Sequence, residues 1–185
     1  MTLASTAFTW YVTRAGGMVA IVLLTAAVVL GLALAGRASL VRWPRFALEE
    51  VHRFAGLLAW AFVGVHVLVL LVDGYAPFSV ADLVVPGSAG YRPLATGLGI
   101  VGTELLLALA VANRLRGRLP YRVWRRTHAL TLAVWALAVA HSLLAGTDTG
   151  NAWGTTTYGV CVAAVAGVGV WRVLGRQRRP AVASR

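Results

Sequence analysis

Apolar residues along this chain gather in long runs that carry almost no charge and are separated by short stretches rich in Gly, Pro and Arg. Five such runs can be drawn, over about 9–35, 47–72, 94–113, 123–145 and 153–174. Each is long enough to cross a hydrocarbon core about 30 Å thick as a helix rising 1.5 Å per residue. Between them lie RASLVRWPR (37–45), GYAPFSVADLVVPGSAGYRP (74–93), RLRGRLPYR (114–122) and GTDTGNAWG (146–154), where Gly, Pro and charge break the helical pattern. The expected fold is an all-α, polytopic membrane bundle of five transmembrane helices, six at the upper count. In the long second connection, SVAD (79–82) has the form of a capping box and is followed by LVV, which predicts a short helix lying at the membrane interface.

Composition agrees with the pattern. Of 185 residues 59% are hydrophobic and 12% charged, against about 25% charged in a soluble domain. Any chemistry must therefore occur inside the bundle. The net charge of +11 comes entirely from Arg. These arginines lie between apolar spans, where topology accounts for them and nucleic-acid binding does not. Cys161, the single cysteine, excludes an internal disulfide and reads as a packing residue. The first apolar run is too long for the core of a signal peptide and is expected to be a retained span.

Arginine placement predicts orientation, because short Arg-rich loops stay on the cytoplasmic side. Arg37, Arg42, Arg45 and Arg53 surround the first connection. Arg114, Arg116, Arg118, Arg122, Arg125 and Arg126 surround the third, and Arg172, Arg176, Arg178, Arg179 and Arg185 follow the fifth span. Fifteen of the seventeen thus share one face, while Arg14 and Arg92 lie on the other with Asp73, Asp82 and Asp148. The expectation is a cell-membrane protein with the N-terminus outside and the C-terminus in the cytoplasm. Residues 1–175 form the membrane domain and 176–185 a basic cytoplasmic tail.

The four histidines carry the candidate chemistry. His52 and His66 stand in the second span, His128 and His141 in the fourth. These two spans run parallel, so the first histidine of each lies near the cytoplasmic surface and the second of each about 20 Å deeper. Two levels of paired imidazoles suit two bis-histidine b-type haems stacked across the bilayer. A buried imidazole needs partners for both nitrogens. Haem iron can take one, and a backbone carbonyl or hydroxyl the other. Two axial histidines fill the iron's coordination sphere and favour electron transfer over oxygen binding. Fourteen residues turn a helix by about 1400°, about 40° short of four turns, so His52 and His66 share a face. Ala55, Gly56, Ala59 and Val63 lie along it and leave room for a flat macrocycle. In the fourth span the spacing is thirteen, which turns His141 well away from the His128 face. Either that helix is locally irregular, as at a π-bulge, or the two sites are rotated relative to each other. Trp135, midway on the His128 face, is an inter-haem bridge or a packing aromatic. A zinc or copper path would require acidic or Cys ligands nearby.

The pattern H-x13-H on one span and H-x12-H on the second span after it resembles the ferric reductase-like transmembrane domain of ferric reductases, NADPH oxidases and the haem subunit of the periplasmic methionine sulfoxide reductase system. The segments WYVTRAGGMVA (10–20), GYRPLATGLG (90–99), RLPYRVWRRTHAL (118–130) and HSLLAGTD (141–148) are similar to the small bacterial members, so the resemblance covers almost the whole chain. It implies an inner haem b held by His52 and His128, an outer haem b held by His66 and His141, and electron passage between them. Ferric reductases and NADPH oxidases continue into flavin and NADPH domains. This chain ends at RQRRPAVASR, and the expectation is that it binds no flavin by itself.

Haem propionates need cations near the membrane surface. Arg53, Arg125 and Arg126 flank the inner histidines, and Arg14 is placed to serve the outer level; topology and snorkelling are their plainer uses. Glu104, in the middle of the third span, is a functional acid or a protonated hydrogen-bonding residue. Asp148 and Tyr91 are candidate docking residues. The function expected is that of an electron-transfer subunit of an oxidoreductase. Its donor is a flavoprotein or membrane quinol, and its acceptor an extracytoplasmic redox protein, ferric iron or oxygen. The alternative is a haem-free membrane protein, either a small metal-ion transporter or a structural subunit.

Overall fold

The computed structural model describes residues 3–36, 43–74 and 78–177. Arg37, Arg42, Arg178, Arg179 and Arg185, counted above toward orientation, lie outside the described residues, as does most of the expected tail. The described chain is helical: α1 Leu3–Ala35, α2 Arg45–Leu70, α3 Val80–Val84, α4 Pro93–Arg114, α5 Tyr121–Ala129, α6 Thr131–Ala145 and α7 Ala152–Gln177. A single 3-10 turn, Asp148–Gly150, joins α6 to α7.

Five spans are long and apolar enough to cross a membrane: Ala7–Ala35, Arg45–Leu70, Pro93–Arg114, Tyr121–Ala145 and Ala152–Gly175. Their limits fall where the sequence chemistry puts them. Proline stands at the cap of α2 and α5 and at the first position of α4, where its missing N–H costs no helical hydrogen bond. α6 stops at Gly146. The expected short helix forms as α3. The Ser79 N–H donates to the Asp82 carboxylate at 2.9 Å and the Asp82 N–H to Ser79 Oγ at 3.3 Å. Hydrogen bonding from Ser79 holds the exposed Asp82 carboxyl below the usual carboxylate range.

The fourth span departs from a simple rod. It breaks at Leu130, between α5 and α6. A local irregularity is one of the two alternatives that the thirteen-residue histidine spacing leaves open, and the one seen here takes the form of a turn and not of a π-bulge. The Thr131 hydroxyl donates to the His128 carbonyl at 2.8 Å and so satisfies a backbone acceptor beside the break.

α1 packs along α2, α4 along α6, and α1 also meets α6 and α7. The central core joins Leu24 of α1, Ala59 of α2, Leu106 and Leu109 of α4 and Val134 of α6. A second cluster joins Ile21, Val139 and Tyr158. Trp135 packs against both, and its indole N–H donates to Thr25 Oγ1 at 2.9 Å. Large apolar side chains such as Phe54, Leu57, Leu107 and Val160 face outward, the surface that lipid requires of a spanning helix. Cys161 is free and buried.

Candidate functional site

The bundle brings the four histidines together in two pairs. The His52 and His128 rings lie 6.2 Å apart between centroids with their planes inclined at 79°. The His66 and His141 rings are also 6.2 Å apart, inclined at 76°. Both levels thus have the same ring separation and nearly the same inclination, although the histidine spacing differs between the two spans.

What holds the rings is a second layer that the sequence pattern did not expose. On α1, the Ala27 carbonyl accepts from His52 Nδ1 at 2.9 Å, and the Thr13 carbonyl accepts from His66 Nδ1 at 2.8 Å. On α4, the Ala95 carbonyl accepts from His141 Nδ1 at 2.8 Å. A carbonyl only accepts, so Nδ1 carries the proton in all three and Nε2 is left to bind a metal. Four residues beyond each carbonyl stands a glycine: Gly31, Gly17 and Gly99. A Cβ at these positions would come within 3.2 Å of His52, 3.1 Å of His66 and 2.7 Å of His141 respectively. The glycines let the helix backbones approach the rings closely enough for the carbonyl bonds. Gly17 and Gly31 are fourteen residues apart, the same interval as His66 and His52 on the facing helix.

His128 is held differently. Its Nδ1 is buried with no hydrogen-bond partner among the described residues. Its ring stacks on Trp124, with centroids 5.4 Å apart and planes 18° from parallel. The Trp124 indole N–H donates to Asn113 Oδ1 at 2.9 Å. Neither Trp124 nor Asn113 was singled out from the sequence.

A cavity of about 210 Å³ opens at the outer level, lined by Arg14, Gly17, His66, Val63, Gly99 and His141 among others. Arg14 reaches it but is engaged: its guanidinium donates twice to the Asp148 carboxylate, from Nε at 3.1 Å and from Nη2. Asp148 is buried, which corrects its expected docking role; it ties the α6–α7 connection to α1. Tyr91 is likewise a tie, donating to the Ala145 carbonyl at 3.2 Å. Beside it Arg92 adopts a left-handed backbone, φ 42, and donates to the Leu144 carbonyl at 2.6 Å. At the opposite end, Arg53 pairs with Glu50 at 2.8 Å in an exposed position, and Arg125 and Arg126 are exposed on α5. Glu104 is exposed on α4. Among the described residues no three His, Cys, Asp or Glu side chains gather to hold a bare metal ion.

The family described as ferric reductase like transmembrane component matches residues 16–139, two thirds of the chain. The chain belongs to this ferric reductase-like family. Neither curated proteins nor solved structures give a match. The matched residues contain His52, His66 and His128 and end two positions before His141. Ferric reductase-like domains generally bind haem, and membership points to transmembrane electron transfer as the general role.

Proposed function

We propose that the chain carries electrons across the cell membrane through two b-type haems, the inner held by His52 and His128 and the outer by His66 and His141. The observation that carries this reading is the pair of 6.2 Å ring separations. Two imidazoles binding one metal from opposite sides, each at about 2.0–2.1 Å, have ring centres about 6 Å apart. A pair of imidazoles is a poor site for a bare ion, but it suits a metal that arrives with four equatorial nitrogens of its own. The open outer cavity and the glycines behind His52, His66 and His141 fit such a flat group.

When bound, haem supplies reversible one-electron chemistry at iron. The protein's residues do the rest. His52, His66 and His141, each donating from Nδ1 to a carbonyl, present Nε2 in a fixed orientation with raised basicity. Leu24, Ala59, Leu106 and Val134 make the interior between the levels apolar. Trp135, fixed by Thr25, stands between the levels and is proposed as packing that also shortens the path for the electron. Arg14, braced by Asp148, and Arg53, Arg125 and Arg126 at the other surface offer cations for propionates.

In this reading residues 1–175 form the haem domain and 176–185 a basic tail. Donors enter on the Arg-rich cytoplasmic side, from a flavoprotein or a membrane quinol. Acceptors meet the outer side: a redox protein, ferric iron or oxygen. Protein purified in detergent is expected to give a reduced-minus-oxidised spectrum of b type and a pyridine haemochrome of two haems per chain. A colourless, folded protein would instead support a haem-free transporter or structural subunit. The orientation predicts that a reporter fused after Arg185 is active in the cytoplasm; periplasmic activity would reverse it.

A further inference from the structure

The two halves of the bundle hold their histidines by one rule with one exception. A carbonyl accepts from Nδ1 and a glycine four residues later makes room for the ring. The rule applies at His52, His66 and His141. Fourteen residues separate the two glycines of α1, and the position fourteen beyond Gly99 on α4 is Asn113. Where the repeat calls for a small residue behind the ring of His128, the chain has an amide side chain, and that amide holds Trp124 at 2.9 Å. Trp124 then covers the His128 ring face at 5.4 Å. Nδ1 of His128, buried, has no partner among the described residues.

We propose that Trp124, anchored by Asn113, is the positioning residue for His128, and that His128 is the most easily displaced of the four axial ligands. The inference rests on the haem reading above. A hydrogen bond from the remote N–H to a carbonyl fixes the ring about its long axis and makes the imidazole a stronger donor to metal. Among the described residues nothing gives His128 that bond. Stacking restricts its ring plane but leaves its basicity unassisted, and the helix ends two residues later at Leu130, so the backbone behind it is not a continuous rod. Among the described residues, the inner site therefore combines one imidazole held by a carbonyl, His52, with one held by an indole face, His128. Such a site exchanges a ligand more readily than the outer one, and its potential responds to Trp124.

The test uses the full chain with haem in detergent. Haem content is read by pyridine haemochrome, spin state by electron paramagnetic resonance, midpoints by redox titration and ligand exchange by carbon monoxide added to the reduced protein. Trp124→Leu is expected to convert one of the two haems, and not the other, to a high-spin or carbon monoxide-binding form, or to lose it, and to shift one midpoint. Trp124→Phe, which keeps an aromatic face, is expected to restore the wild-type spectrum. Asn113→Leu frees the indole without removing it and should give the same change in part; it carries the test if Trp124→Leu does not fold. Two low-spin haems inert to carbon monoxide with unchanged midpoints in both Leu variants would overturn the proposal, as would failure of Phe to rescue. A wild-type chain without haem would instead sink the underlying reading.

Discussion

Gly99 stands so close to His141 that a Cβ there would come within 2.7 Å of Nδ1, closer than nonbonded atoms approach. The ring would have to swing off the Ala95 carbonyl. Gly99→Ala is therefore expected to perturb the outer haem, as loss or as a high-spin signal of half the total, while the inner component stays intact. Gly159→Ala meets open space and should leave the spectrum unchanged and stability within about 1 kcal/mol of wild type. Equal loss of both haems in Gly99→Ala would contradict the assignment of this glycine to one level. The histidines themselves were legible in the sequence, because polar residues in apolar spans stand out. Their supports were not. A backbone carbonyl leaves no trace in residue identity, and the glycines at 17, 31 and 99 are three among twenty. The shared interval of fourteen between Gly17 and Gly31 and between His52 and His66 was the available signal, and only the packing of α1 on α2 gives it meaning.

At the scale of elements, the spans were readable to within about two residues because lipid imposes length and apolarity on every helix that crosses it. The place where the fourth span breaks was not readable. The thirteen-residue spacing left open an irregularity or a relative rotation of the two sites, and Thr127, Leu130 and Thr131 include neither Gly nor Pro to mark a break. The break is stabilised locally, by the Thr131 hydroxyl on the His128 carbonyl, a bond that needs the backbone already turned. A second threonine ties elements together: Thr25 donates to the Ile21 carbonyl at 2.7 Å and accepts from Trp135 at 2.9 Å, linking α1 to α6 midway between the histidine levels. Thr25→Val keeps the volume and removes the acceptor, leaving a buried indole N–H unpaired. A cost of about 1–3 kcal/mol is expected, seen as a lowered thermal midpoint in detergent with both haems retained. An unchanged midpoint would mean that Trp135 finds another acceptor. Asp148 also shows a limit of reading by type: expected to face a partner, it is buried and paired with Arg14 of α1, because an unpaired charge buried near lipid is costly.

For the whole molecule, α1 packed on α2, and α4 packed on α5 and α6, give two histidine levels. α1 supplies a carbonyl and a glycine to both His52 and His66, while α4 supplies them to His141 and His128 is stacked on Trp124. The ferric reductase-like family supplies the general role; the ring separations of 6.2 Å support the pairing of residues. The most direct test of that pairing is haem stoichiometry in the single variants His52→Ala and His66→Ala, with each compared to its assigned partner's variant. His52→Ala and His128→Ala are each expected to leave one haem with the same spectrum and midpoint, and His66→Ala and His141→Ala each to leave the other. Two haems remaining in His52→Ala, or a residual haem in His52→Ala that matches the one left by His141→Ala, would contradict the pairing.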